Sequence, residues 1–430
     1  IRQDYLIAQA LLNKPFAERD DNYRPMLEMA LARIRQLGAH EVGHTLGFTH
    51  NFAASTNNDA SVMDYPHPNI TLENGDISLN NLYSNGIGTW DKVTVAYSYS
   101  QFQDSTNEHQ ALNTILEDAQ NNGLRFITDS DARAEGGAHA FAHLWDNGKS
   151  ASKELERILE VRAKAISNFS KDNIRTNETY SELEDVFVPL YFFHRYQTEA
   201  TTKVVGGLDY NYAVKGDDGL ITKPINVEAQ KSALKAIIHA LSVETLAIPQ
   251  DKLDLFPPRA YGYERTRESF SGLTGVAFDA LSAASTASDM TLSLLLHPQR
   301  CNRLIQQKSL DTNQIGLEEV LKSLIDNSFK KTDKNSYLNE VQQMINANVL
   351  KYIMNLAVSD TVFLQVNAIA NEAINQVAQL LNATKSNTVY VAQYERLIKD
   401  FKDHPEKFKL ENSPKIPDGS PIGTDKCFYN

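Results

Sequence analysis

The sequence predicts a mainly α-helical fold with few short strands, on two observations. Apolar residues recur at helical spacing through most of the 430 residues. Proline and glycine fall between these periodic segments, at the positions where helices begin and end. After residue 150 the helical pattern is almost continuous. Helices are expected there over 151–169, 180–204, 227–242, 276–296, 316–328, 335–356, 360–382 and 388–402.

Helices are also expected before residue 150. A first helix over residues 2–13 ends before Pro15, and a second begins near Pro25. Short helices are expected from about 90 to 97 and over 107–122. The apolar repeat of the second helix consists of Leu27, Ala30, Leu31, Ile34 and Leu37. This repeat runs directly into a group of histidines, so one long helix should carry them.

The end of this helix has the spacing of a zinc site. His40 and His44, at positions i and i+4, lie about 6 Å apart on one helix face, and each can direct a ring nitrogen at an ion roughly 2.0–2.1 Å away. Gly47 can take the left-handed conformation that ends the helix and returns His50 as a third ligand. Three ligands leave one position for a water whose pKa falls to about 7, and Glu41 is placed to accept its proton.

The opposite side of the same helix carries Val42 and Leu46. We expect that side to be buried against the rest of the domain, because burial would give the two imidazoles a rigid base. A short His-Glu-x-x-His motif also occurs by chance in long chains, and a buried histidine is more often a hydrogen-bonded core residue than a ligand. The presence of Gly47 and His50 in the same short segment favours a metal site.

A methionine in a tight turn follows soon after, in the run Ser-Val-Met-Asp-Tyr-Pro at 61–66. The histidine motif and this turn together resemble the metzincin zinc peptidases. The resemblance implies that Met63 is the Met-turn methionine beneath the metal. It also implies that Tyr65 either ligates zinc or stabilises the oxyanion formed during catalysis.

Further segments are similar to one bacterial family of zinc-dependent peptidases, whose catalytic part is a Met-zincin domain. These segments are residues 40–55, 61–66, 86–92, 194–197, 206–210 and 421–423. The resemblance implies export of the full-length protein to the periplasm or the extracellular space, with a β-rich domain upstream. Metzincins bind substrate along the edge strand of a sheet that precedes the zinc helix. Residues 1–24 do not resemble such a sheet, so we expect a fragment with weak cleavage activity.

The expected organisation has three parts. Residues 1–105 form a metzincin-like module of zinc helix and Met-turn, 106–410 form a large, mainly helical domain, and 411–430 form an extended tail. Gly206 and Gly207, followed by Tyr210 and Tyr212, predict a turn into a short strand or hairpin.

Three other groups of residues allow a structural or a functional interpretation. The aromatic run at 188–197 is interpreted as a buried helix; the alternative is a wall of the substrate cleft, with His194, Arg195 or Tyr196 contacting substrate. His139 and His143 are interpreted as surface histidines, since no third ligand for a second metal is evident. Asp129 and Asp131 suggest calcium, but the remainder of a calcium loop is missing.

Composition excludes some functional classes. The net charge is −12 and no dense Lys/Arg cluster occurs, which argues against nucleic acid or an anionic lipid surface as a partner. No run approaches the ~18 apolar residues of a membrane helix. The two cysteines, Cys301 and Cys427, could be free thiols or one disulfide.

The sequence therefore predicts an endopeptidase that uses Zn²⁺ and acts on protein or peptide substrates. The competing interpretation is a catalytically inactive, metzincin-like binding protein for a peptide or glycan. Intact ligands at His40, His44 and His50, together with Glu41, favour the enzyme.

Overall fold

The computed structural model describes residues 2–216, 219–329, 336–383, 389–411 and 413–417, and it confirms a mainly helical fold with few short strands. Its α-helices are α1 (Arg2–Leu11), α2 (Arg24–Thr45), α3 (Thr89–Tyr99), α4 (Glu108–Asn121), α5 (Asp129–Ala132), α6 (Ala151–Asn168), α7 (Leu183–Tyr191), α8 (Arg195–Val204), α9 (Val227–Ala240), α10 (Val243–Leu246), α11 (Gln250–Leu253), α12 (Ala280–Leu295), α13 (Pro298–Leu310), α14 (Leu317–Ser328), α15 (Ser336–Val358), α16 (Leu364–Ala383) and α17 (Val389–Asp403). Short 3₁₀ turns lie at Ala54–Asn57, Lys171–Asn173, Tyr180–Glu182 and Pro405–Lys407.

Two antiparallel hairpins contain the strands of the described residues. Strand β1 (Thr71–Glu73) pairs with β2 (Asp76–Ser78), and β3 (Leu208–Tyr210) pairs with β4 (Thr222–Pro224). Asn74 and Gly75 join the first pair with φ of 54° and 84°, as a two-residue hairpin turn requires. For the second pair, the sequence predicted a turn into a short strand or hairpin, which the structure confirms.

The main hydrophobic core runs through most of the helices. α15 packs against both α12 and α16, while α6 packs against α8 and α9. α1 packs against α2 and α7, and Ile7, Leu11 and Met26 belong to the same buried cluster as the later helices. The helix that carries the histidines is therefore anchored to the helical body through a continuous core.

No single helix of the described residues is both long enough and apolar enough to cross a bilayer. Val227–Ala240 and Val243–Leu253 meet the length and composition criteria only when taken together, and a bend of 53° separates them.

The predicted set of helices was partly wrong. The helix expected over 180–204 is two helices, α7 and α8, separated at residues 192–194. The aromatic run at 188–197 is buried on all sides, so it has no polar face whose interruption would reveal the break. Its burial agrees with the interpretation as core. Helix α13 was not predicted; it begins at Pro298, where proline costs no helical hydrogen bond.

The buried side of α2 also differs from the prediction. Val42 and Leu46, expected to be buried, are 57% and 42% exposed. The apolar residues Leu27, Leu31 and Ile34 are exposed as well. The buried side consists of Met26, Met29, Ala30, Arg33, Gln36, His40 and Gly43. This side is partly polar because it packs against the turn at 61–66, whose backbone carbonyls need hydrogen-bond donors.

Candidate metal centre

The end of α2 brings the third histidine back to the first two. Gly47 has φ of +84°, its N–H donates to the His44 carbonyl at 2.9 Å, and the Phe48 N–H donates to the Gly43 carbonyl at 3.1 Å. This hydrogen-bond pattern is a Schellman cap, which needs a left-handed residue and favours glycine. The cap reverses the chain, so that His50 faces the histidines of the last two turns.

The three imidazoles converge on one point. One ligand atom from each of His40, His44 and His50 lies within 4.8 Å of the others, and the Nε2 atoms of His44 and His50 are 3.2 Å apart. A tetrahedral zinc with bonds of about 2.0–2.1 Å places its ligand atoms roughly 3.4 Å apart. Among the described residues this is the one such group of three or more His, Cys, Asp or Glu side chains.

Each ring is oriented by a hydrogen bond from its other nitrogen. Nδ1 of His40 donates to the Val62 carbonyl at 2.8 Å, and Nδ1 of His44 donates to the Phe48 carbonyl at 2.9 Å. Nδ1 of His50 donates to Asp129 Oδ2 at 2.8 Å. These partners fix the tautomer in which Nε2 carries the lone pair directed at the common point.

The protonation state of His40 also suits a metal. Its Nε2 is buried and has no hydrogen-bond partner within the described part of the chain. Burial lowers the pKa of His40 to about 4, so the ring is neutral at pH 7. A metal requires neutral imidazole, and a bound cation would give this orphaned nitrogen a partner. The residues present therefore fit a zinc ion.

Asp129 is a residue of this centre that the sequence did not predict. Its carboxylate joins His50 to Arg133, whose Nε donates to Asp129 Oδ1 at 2.6 Å. Partial burial would raise the Asp129 pKa, but the hydrogen bonds from His50 and Arg133 outweigh burial and hold it well below its usual range. Asp131 does not contact the histidines in the same way; it accepts from the hydroxyls of Tyr210 and Tyr212.

Met63 lies directly against the histidine helix. Its side chain is 2% exposed, and a Cβ atom added to Gly43 would overlap its sulfur. Gly43 lies between His40 and His44, so the glycine gives the methionine room to pack beneath the two rings. The motif therefore needs a small residue at this position for packing as well as histidines for ligation.

The turn that carries Met63 is fixed by Asp91 of α3. Asp91 accepts from Ser61 Oγ at 2.6 Å, from the Val62 N–H at 2.9 Å and from the Gly88 N–H at 2.6 Å. Because the Val62 carbonyl orients His40, Asp91 acts on the candidate metal centre through one residue, Val62. The run at 86–92, noted in the sequence only for its resemblance to the family, was the available signal for this residue.

The buried side of α2 holds the same turn. Gln36 Nε2 donates to the carbonyls of Val62 and Asp64 at 3.2 and 3.4 Å. Arg33 Nη1 donates to Gln36 Oε1 at 2.7 Å and to the Pro66 carbonyl at 3.4 Å. These contacts explain why polar residues occupy the inner face of this helix.

Tyr65 reaches the centre and Glu41 lies beside it. The Tyr65 side chain is 2% exposed, and its hydroxyl is 3.0 Å from His50 Nε2. Its ring stacks on that of His40 with centroids 4.9 Å apart. Glu41 is solvent-exposed on α2, adjacent to His40 in sequence. The phenol therefore offers a donor at the converging nitrogens, and the carboxylate is open to exchange of protons with water.

Of the remaining candidate residues, some lie in the core and others line a cavity. Arg195 and Tyr196 line a cavity of about 730 Å³. His194 is fully buried and does not line that cavity. His139 and His143, expected at the surface, are buried, so that interpretation was wrong; His139 Nε2 donates to the Tyr210 carbonyl at 2.9 Å.

The structure describes one of the two cysteines and does not describe the tail motif. Cys301 is buried in α13. Cys427 and the motif at 421–423 lie outside the described residues, so the cysteine pairing stays open.

Comparison with known proteins gives one match. A family model described as Met-zincin matches residues 22–336, a range that contains the three histidines, Met63, Asp91 and Asp129. No curated protein and no solved structure matches the chain.

Proposed function

The chain belongs to the Met-zincin family, and on that premise we propose that it is a zinc-dependent endopeptidase acting on proteins or peptides. One observation carries the proposal. Three imidazoles each present Nε2 to one point while a carbonyl or carboxylate holds the opposite nitrogen. Rings that served only the core would not need three separate orienting partners around a shared centre.

The chemistry is divided between the ion and the side chains. Zn²⁺ held by His40, His44 and His50 would polarise the scissile carbonyl and lower the pKa of the attacking water. Glu41 accepts the proton of that water and delivers it to the leaving amine. Tyr65 donates a hydrogen bond to the developing oxyanion, and Asp129 keeps the His50 ring in place.

The test is hydrolysis of unfolded casein by the zinc-loaded protein. Glu41→Gln should retain zinc and lower the rate by a factor on the order of 10² to 10⁴, because general base catalysis is lost. Tyr65→Phe should be milder, on the order of 10² to 10³, since one oxyanion donor is lost. Glu28→Gln, on an exposed part of the same helix, is the matched control and should leave the rate unchanged.

A fully active Glu41→Gln protein with zinc bound would contradict the catalytic assignment. Zinc binding without hydrolysis in the unaltered protein would instead favour the inactive binding protein, because the same centre can hold an ion without turning over a substrate.

A further inference from the structure

The tail segment 413–417, with the sequence Ser-Pro-Lys-Ile-Pro, is held by the protein in the way a peptide ligand is held. Thr286 Oγ1 donates to the Pro414 carbonyl at 2.9 Å, and Arg195 Nη1 donates to the Pro417 carbonyl at 2.9 Å. The hydroxyls of Ser285 and Ser413 are 2.7 Å apart. Thr286 and Arg195 are both buried, so donors fixed by the fold act on the backbone carbonyls of the segment.

The segment lines the 730 Å³ cavity together with two aromatic side chains. Trp145 and Tyr196 lie there with ring centroids 4.8 Å apart. The indole N–H of Trp145 is buried and has no hydrogen-bond partner among the described residues. Proteins recognise extended, proline-containing peptides with grooves that have aromatic walls and hydrogen-bond donors beside the peptide backbone.

The cavity is next to the metal centre. Arg133 lines it and also binds Asp129, the carboxylate that orients His50. The backbone N–H of Trp145 donates to the Tyr65 carbonyl at 2.7 Å. Two side chains, Arg133 and Asp129, therefore connect the cavity to His50.

The tail segment buries little surface. Of the five residues, Pro417 alone is buried, while Lys415 is exposed and the other three are half-buried. Short segments with little buried surface open at low free energy. The proline rings restrict the segment before it binds, so a similar peptide loses little conformational entropy on binding.

We propose that the surface on which residues 413–417 lie, beside this cavity, is a binding groove for extended, proline-containing peptide, and that the segment is its displaceable intramolecular occupant. The consequence for catalysis rests on the proposed function: the groove would hold a peptide substrate beside the metal centre, and the tail would compete with it. The binding step itself needs neither zinc nor turnover.

The test measures binding of a labelled synthetic peptide, Leu-Glu-Asn-Ser-Pro-Lys-Ile-Pro-Asp-Gly, which copies residues 410–419. The full-length chain with Glu41→Gln is used, so that no cleavage interferes. Replacing both Pro414 and Pro417 by Gly in the chain should loosen its own tail and strengthen peptide binding at least about ten-fold by fluorescence anisotropy.

Two further variants, made in the loosened chain, locate the binding site. Thr286→Val removes a carbonyl donor and should weaken peptide binding by a factor of about 3 to 10. Thr114→Val, at an exposed position of α4, is the matched control and should have no effect. A peptide with both prolines replaced by alanine should bind more weakly than the original.

Equal peptide binding by the loosened and original chains would overturn the proposal, as would equal effects of Thr286→Val and Thr114→Val. If Thr286→Val lowers the thermal stability, Arg195→Lys tests the second carbonyl contact instead. Casein hydrolysis by a chain that binds no peptide would contradict the peptide-groove proposal and leave the proposed function intact. Peptide binding without any hydrolysis would leave it standing and remove the proposed function.

Discussion

Among single residues, the convergence of the three histidines was predictable from the sequence, and their hydrogen-bond partners were not. His40, His44 and His50 lie within eleven residues, so helical geometry and one glycine cap determine where they meet. Asp129 is 79 residues from His50, and the aspartates around it carry no local pattern that points to a histidine. Contacts between distant parts of a chain depend on the complete fold, which a short motif does not contain.

The role of Asp129 can be tested directly. Asp129→Asn should lower zinc affinity by a factor of about 10 to 100, because His50 loses a charged partner that fixes its ring. The measurement is a zinc titration in competition with a chromogenic chelator. Asp131→Asn, two residues away and bound to tyrosines, serves as control. Equal zinc affinity of the Asp129 variant and the unaltered protein would show that the ring is held by packing alone.

At the scale of elements, the extent of α2 was predicted correctly and its buried face was not. Helical periodicity of Leu27, Leu31 and Ile34 correctly indicated a helix, but these residues are exposed. The sequence gives no sign that Arg33 and Gln36 face inward, because their burial depends on the carbonyls of a turn about 30 residues later. Polar residues are expected outside unless a specific partner is known.

Substitution of Met63 tests which face of α2 is buried. Met63→Ala should lower the free energy of unfolding by about 2–5 kcal/mol, since it leaves a cavity under the histidine helix. Val42→Ala should change it by less than about 0.5 kcal/mol, since that side chain is more than half exposed. The measurement is urea unfolding of both variants. A larger loss for Val42→Ala than for Met63→Ala would show that the other face is the buried one.

A pair of buried carboxyls joins the Met63 turn to the loop before α6. Asp64 accepts from the Ser55 N–H at 3.2 Å, and Asp146 accepts from the Ser55 hydroxyl at 3.1 Å. Burial raises the pKa of Asp146 to about 7, and burial together with the charge of Asp146 raises that of Asp64. A carboxyl whose pKa is raised in the folded state stabilises the folded protein below its unfolded pKa of about 3.8. That stabilisation is lost as the pH rises through the folded-state pKa of about 7.

Asp146→Asn should therefore raise the free energy of unfolding at pH 8 by about 1–3 kcal/mol and change it little at pH 4. The experiment is urea unfolding at the two pH values. Asp118→Asn on the exposed side of α4 is the control and should be neutral at both. A gain at pH 4 as large as that at pH 8 would exclude carboxyl ionisation as its cause.

At the scale of the whole molecule, the boundary expected at residue 105 stays a prediction, but the metal centre draws on both sides of it. His50 and Met63 precede the boundary, whereas Asp129 and Trp145 follow it. The helical class followed from periodicity, because amphipathic helices show their pattern locally. The packing of α2 on α1, and of α1 on α7, could not be predicted, since apolar faces match many possible partners.

Zinc binding is the most direct test of the central claim that His40, His44 and His50 form a metal centre. The measurement is elemental analysis after equilibrium dialysis against zinc, with the unaltered protein, His50→Ala and His239→Ala as an exposed control. We expect one zinc per chain in the unaltered protein and in His239→Ala, and much less than one in His50→Ala under the same conditions. Equal zinc content in all three proteins, or none in the unaltered protein, would contradict it.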